Sequence, residues 1–109
     1  MKCKNTLQKG AVRYVVFHDG KTWYGAALEF NIVEEGDTPR EAMMLLFEAI
    51  QGYVESARKI KARPHILNQK SDREYEEMWR SFSERRKTCS DKIFTAGNLN
   101  ITKKVLLPV

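Results

Sequence analysis

The side chains that could carry chemistry fall into four sets. They are the carboxylates Asp19, Glu34, Glu35, Asp37 and Glu41, the thiols Cys3 and Cys89, the imidazoles His18 and His65, and the basic run Arg85, Arg86 and Lys87. Convergent carboxylates would hold two metal ions for phosphodiester hydrolysis, but here each has another assignment. Asp19 precedes Gly20 in a turn, Asp37 and Glu41 belong to a helix cap, and Glu34 and Glu35 point to opposite faces of a strand. The thiols form no CxxC pair, and neither histidine stands at ligand spacing from a cysteine. His18 reads as turn polarity and His65 as a loop residue. No catalytic group, metal site or cofactor is expected, and catalysis is the least supported class of function.

Arg85, Arg86 and Lys87 are the best candidates for contact with nucleic acid, because clustered cations neutralise phosphates and release counterions. The same charges also suit the last turn of a helix, where they complement its dipole. No base-reading motif accompanies them. Residues 1–57 hold six basic against eight acidic groups, a balance of −2, and residues 58–109 hold 13 against six, a balance of +7. The net charge of +5 therefore belongs to the C-terminal half, while the acidic N-terminal half suits a basic protein partner.

The elements that must position these groups follow from local pattern. At 109 residues there is room for one domain, and apolar residues at 42% against charged residues at 30% make an ordinary globular balance. No apolar run approaches the ~20 residues that span a bilayer, so no membrane is expected. Charges at Lys2 and Lys4 are not followed by an apolar stretch, so no secretory signal is expected either. A cytoplasmic setting follows, in which Cys3 and Cys89 are free thiols, although one disulfide between them is the alternative.

Residues 12–17 are dense in β-branched and aromatic side chains and read as a strand. Asp19-Gly20 is a turn signal, and residues 22–30 read as the return strand. One of its faces carries Tyr24, Ala26, Leu28 and Phe30; the other carries Trp23, Gly25, Ala27 and Glu29. Residues 32–35 are a third, shorter strand. Thr38 can then cap a helix, Pro39 fits the first helical position, and Glu41 can reach back to the cap's own N–H. Ala42, Leu45, Leu46, Ala49, Ile50, Tyr53 and Ala57 form the apolar stripe of that helix. It should fade near Lys61, because Arg63 precedes Pro64. Ser71 and Glu74 suggest a second capping box, opening a helix over 71–87 with Tyr75, Met78, Trp79 and Phe82 on one side. Residues 93–96 could be a strand, Gly97-Asn98 a turn, and the tail Val105 to Val109 a last strand or an arm seated on another copy.

From Tyr14 through Glu55, and above all in Glu35-Gly36-Asp37-Thr38-Pro39-Arg40-Glu41-Ala42, the chain resembles the N-terminal domain of the HicB-like antitoxins. That family's signature at the helix start is GDT-x-x-EA. The resemblance implies a β-β-β-α-β, partial RNase H-like fold in the α+β class, an antiparallel sheet of three to four strands on one long helix, to which the residues of this chain add a C-terminal-half helix. A core over about 11–62, an inserted helix over about 71–87 and last strands within about 92–107 make a single such domain. It also implies a partner, a small messenger-RNA-cleaving toxin of the HicA kind, while the strand edges of such a sheet suit association of like copies into a homo-oligomer. Two features depart from the family. Its usual proline-and-cysteine pattern before the third strand is replaced by Glu29-Phe30-Asn31-Ile32-Val33, and residues 64–109 match no helix-turn-helix or ribbon-helix-helix appendage.

Trp23, Glu34 and Glu35 are the candidate partner-binding residues. Two arrangements fit Trp23. If the long helix covers the Tyr24 face, Trp23 is partly exposed on a contact surface; otherwise the 71–87 helix packs over it. The expected function is protein–protein binding, with a nucleic-acid-binding regulator or an orphan homo-oligomeric domain as alternatives.

Overall fold

The computed structural model describes residues 5, 6, 10–83 and 93–101. Its elements are β1 (Ala11–Asp19), β2 (Thr22–Ala27), β3 (Ile32–Gly36), α1 (Pro39–Lys59), a 3-10 turn at Pro64–Leu67, α2 (Arg73–Ser83) and β4 (Ile93–Asn100). The strands form one antiparallel sheet in the order β3-β2-β1-β4, so the fold is α+β, with a four-stranded sheet and two helices. No helix among the described residues is long and apolar enough to cross a membrane.

β1 and β2 pair from Asp19–Thr22 down to Tyr14–Ala27 around the Asp19-Gly20 turn, where Gly20 has φ +67°. The return strand is shorter than its apolar pattern suggests. It stops at Ala27, and a turn ending at Asn31 (φ +54°) rotates Phe30 out of the alternation. Phe30 therefore packs with Leu46 and Ile50, while Leu28 packs with Val15 and Phe17 on the other side.

The β3–α1 junction is a capping box with a shifted return bond. Thr38 Oγ1 accepts from the Glu41 N–H at 3.0 Å, and the Glu41 carboxylate accepts from the Asp37 N–H at 2.8 Å, one residue before the cap. Gly36 makes this possible by its lack of a side chain. A Cβ there would lie 2.9 Å from both the Ala42 nitrogen and Glu41 Oε1. Ala42, Leu46, Ile50, Val54 and Ala57 are the residues α1 buries; Val54 joins the stripe expected from sequence. The helix ends at Lys59, with Ile60 as its cap and Lys61 at φ +52°, in accord with the restriction Pro64 imposes.

The two helices lie on opposite faces of the sheet, and α1 takes the Gly25 face rather than the Tyr24 face that the first arrangement for Trp23 supposed. α1 covers the side bearing Val12, Gly25 and Ala27, and α2 covers the side bearing Val15, Phe17, Ala26 and Leu28 through Tyr75, Met78 and Trp79. The reason is bulk. A 21-residue helix can approach the sheet closely only where the strand surface is small, and Ala42 and Leu46 rest directly on Gly25.

Two further expectations are corrected. α2 is not opened by a Ser71–Glu74 box: Asp72 O accepts from the N–H groups of Tyr75 and Glu76, and the Ser71 hydroxyl donates to Glu76 at 2.7 Å. Gly97-Asn98 is not a turn, because β4 continues through it, pairing Gly97 with Tyr14 and Asn98 with Arg13. Gly97 makes room across the strands, since a Cβ there would sit 3.2 Å from the Tyr14 hydroxyl.

Thr38→Ala should lower the unfolding free energy by about 1 kcal/mol, as removal of a helix cap does. Gly36→Ala should cost at least as much, because its Cβ collides with the box that Thr38 anchors. Urea denaturation of the two variants beside the parent checks both the size and the order.

Candidate functional site

The cap comes first, because its residues were the most distinctive in sequence. Thr38 and Glu41 are engaged with backbone N–H groups, and Asp37 contributes its own N–H to the box. Their arrangement is that of a helix start.

The three candidate partner-binding residues do not share a surface. Register pairs Trp23 with Gly36, Glu34 with Gly25, and Glu35 with Tyr24. Trp23 and Glu34 therefore stand on the α1 face and Glu35 on the α2 face, as alternation along a strand requires. Neither arrangement foreseen for Trp23 holds. It is half-buried on the same face as α1, with its ring 4.7 Å from that of His18 and 6.1 Å from that of Phe94. Phe94, in the edge strand β4, is 47% exposed, so this aromatic group opens to solvent. Arg85, Arg86, Lys87, Cys3 and Cys89 lie outside the described residues.

On the α2 face one cation organises its surroundings. Arg13 in β1 donates through Nε to Glu29 at 2.6 Å and through both terminal nitrogens to Glu76 in α2 at 2.7 Å each. Its own backbone N–H donates to the second Glu29 oxygen at 2.7 Å. The guanidinium carbon also lies 5.3 Å from the centre of the Trp79 ring, at cation–π distance. Trp79 is fixed in turn by donation from its indole nitrogen to Gly97 O at 3.1 Å. Hydrogen bonding to Arg13, and next the Ser71 hydroxyl, holds the Glu76 carboxyl below its ordinary value, against the opposing effect of burial. The Glu76 bond likewise raises the Arg13 pKa.

Beside this clamp, where α2 begins, the same face opens into a concavity of about 150 Å³. Its lining residues are Phe17, Asp19, Tyr24, Val33, Glu74 and Tyr75. Phe17 stacks on Tyr24 at 5.6 Å between ring centres and lies 5.8 Å from Tyr75. Burial pushes the Tyr75 phenol up, and the nearby Glu74, Asp72 and Tyr24 push it further. A larger concavity of about 360 Å³ lies at the other end of β1, against Asn5, Arg13 and Glu29. Three of its polar side chains are already engaged: Asn5 donates to Leu67 O and accepts from the Ala11 N–H, both at 2.8 Å, and Arg13 and Glu29 hold each other. Among the described residues no group of three or more His, Cys, Asp or Glu side chains is placed to hold a metal ion.

Comparison with protein-family models, with curated proteins and with solved structures finds no match. The reading of the site thus rests on its own geometry.

Sequence reasoning left open which element covers Tyr24 and gave Asp19 to a turn, and so missed the concavity they share. Tyr75 was visible only as part of a helical stripe. The signal that could have found the pocket is steric: the Gly25 and Ala27 side of β2 is the one that lets a long helix approach. That places Tyr24 opposite, against the second helix.

The Arg13–Glu76 clamp predicts a pH dependence with a definite sign. The folded state holds the Glu76 pKa below the ordinary 4.5, so its stabilising contribution is present above that value and is lost as pH falls through the depressed one. Unfolding free energies between pH 7 and pH 3 should therefore decline, and Glu76→Gln should flatten the curve. Arg13→Met, which takes the guanidinium from two half-buried carboxylates and leaves Glu29 only the residue 13 N–H and Glu76 only the Ser71 hydroxyl, should cost about 2 kcal/mol at neutral pH.

Proposed function

We propose that this chain is a HicB-like protein that works by protein–protein binding, neutralising a small basic messenger-RNA-cleaving ribonuclease of the HicA kind. The observation that carries the reading is the β3–α1 junction. Gly36, Asp37, Thr38, Pro39 and Glu41, the residues of the resemblance, stand where the chain leaves a three-stranded meander and enters a long helix. Each has a physical task there, in the turn, the cap or the first helical position.

Charge supports the same reading. The sheet and α1 carry most of the acidic N-terminal half, which favours encounter with a basic partner. The strand order leaves β3 and β4 at the edges of the sheet, and the eight residues of β4 include no charged side chain. Sheet extension along such an edge is the route by which two copies would associate. The setting proposed for this activity is the cytoplasm.

Co-expression with the product of the adjacent reading frame tests the proposal. A basic protein of ~60–80 residues, the size of a minimal domain, should copurify with the tagged chain, and its RNA cleavage should cease in the complex. Failure to form a complex at micromolar concentrations would overturn the antitoxin reading.

A further inference from the structure

We propose that the concavity between the start of α2 and the β1–β2–β3 side of the sheet is a receptor for one cationic side chain, an arginine or lysine presented by a basic protein partner. The inference rests on the binding function above and names its point of contact.

Its walls are aromatic. Phe17 is the floor, only 6% exposed, with Tyr24 stacked against it and Tyr75 across from it. Ring faces attract cations through their quadrupoles, more strongly as the site loses water. Its rim is anionic. Asp19 from the β1–β2 turn and Glu74 from the first turn of α2 line the opening, and Glu35 projects on the same face from the position opposite Tyr24. Carboxylates set around aromatic walls would repel a phosphate and give a guanidinium or ammonium short, charge-assisted partners.

The Arg13 guanidinium on this face is committed to Glu29 and Glu76, and no Lys or Arg side chain lines the concavity itself.

Size identifies the class of occupant. At about 150 Å³ the space is well below the ~300–1,000 Å³ of sites that enclose a whole small molecule. It suits the end of one side chain delivered from a larger surface. Arginine is the better fit of the two cations, because its planar group can stack on a ring while its edge donates to carboxylates.

The experiment has two arms, both on the full chain. In the first, the aromatic NMR resonances are followed during titration with N-acetylarginine amide, with the uncharged citrulline analogue as control. The Phe17, Tyr24 and Tyr75 rings should shift with arginine and not with citrulline. The shape-preserving pair Asp19→Asn and Glu74→Gln should weaken this binding about tenfold, a change of ~1.4 kcal/mol. Glu48→Gln, on the exposed side of α1, should leave it unchanged. Circular dichroism should show an unaltered melting transition in all three variants. Rings that stay still, or that respond equally to citrulline, would overturn the proposal. In the second arm, the basic partner is titrated with parent and doubly substituted protein, and its affinity should fall at least tenfold. An unchanged affinity refutes the pocket and leaves the binding function standing. Ring shifts with arginine in the absence of any partner complex support the pocket and refute the antitoxin reading.

Discussion

The third layer of this fold depends on one guanidinium. The sheet has two apolar faces, and α1 can cover only one of them. Val15, Phe17, Ala26 and Leu28 on the other are buried because α2 lies over them. The described span of α2, Arg73–Ser83, exposes Arg73, Glu74, Glu77 and Arg80 on its outer side and takes its stability from packing its other side onto the sheet. Arg13 gives it a fixed seat, by joining the middle of β1 to Glu76 with two parallel bonds and to Glu29 with a third. Fork geometry sets orientation as well as distance, so the helix is held at one angle, with Trp79 against the cation and Tyr75 over Phe17.

The chain reaches that second face by a connector whose polar groups are paired in detail. The Tyr53 hydroxyl donates to Ile66 O at 2.7 Å and accepts from Gln69 at 2.7 Å, while the Gln69 N–H donates to Glu29 O at 2.7 Å. Asn5, only 2% exposed, exchanges bonds with Asn68: its N–H donates to the Asn68 side chain, whose amide donates back to Asn5 O. These pairings carry the chain from the end of α1 around the β2–β3 turn, where Asn31 donates to Gln69 and to Lys70 O. Among the described residues no buried side-chain nitrogen or oxygen lacks a partner. The crossing is therefore as well determined as the helices it joins.

This construction makes the two faces chemically different. The α1 face is filled by a mixed aliphatic and aromatic core, in which Phe30 meets Tyr53 and Tyr14 meets Phe47, and it ends in the His18, Trp23 and Phe94 group at the far rim. The α2 face is covered by a shorter element, and the part of the sheet it leaves open is the Phe17–Tyr24–Tyr75 concavity with carboxylates around it.

Local pattern carried the sequence reading a long way. The β1–β2 hairpin, the third strand, the cap at Thr38 and the end of α1 before Pro64 are each determined within a few residues, by turn propensity, capping and the restriction before proline. What local pattern left open was which side of the sheet each helix takes. Period-two alternation divides β2 into two sets without saying which one a helix will prefer. The choice fell to steric fit: α1 needed the Gly25 side for close approach, and α2 was left with Tyr24. Long-range partners were also beyond local reading. Arg13 and Glu76 are 63 positions apart, and nothing near either announces the other. The opposite facing of Glu34 and Glu35 followed from alternation alone, yet which helix each face meets, and the assembly of Asp19, Tyr24 and Glu74 into one concavity, were decided only by tertiary packing.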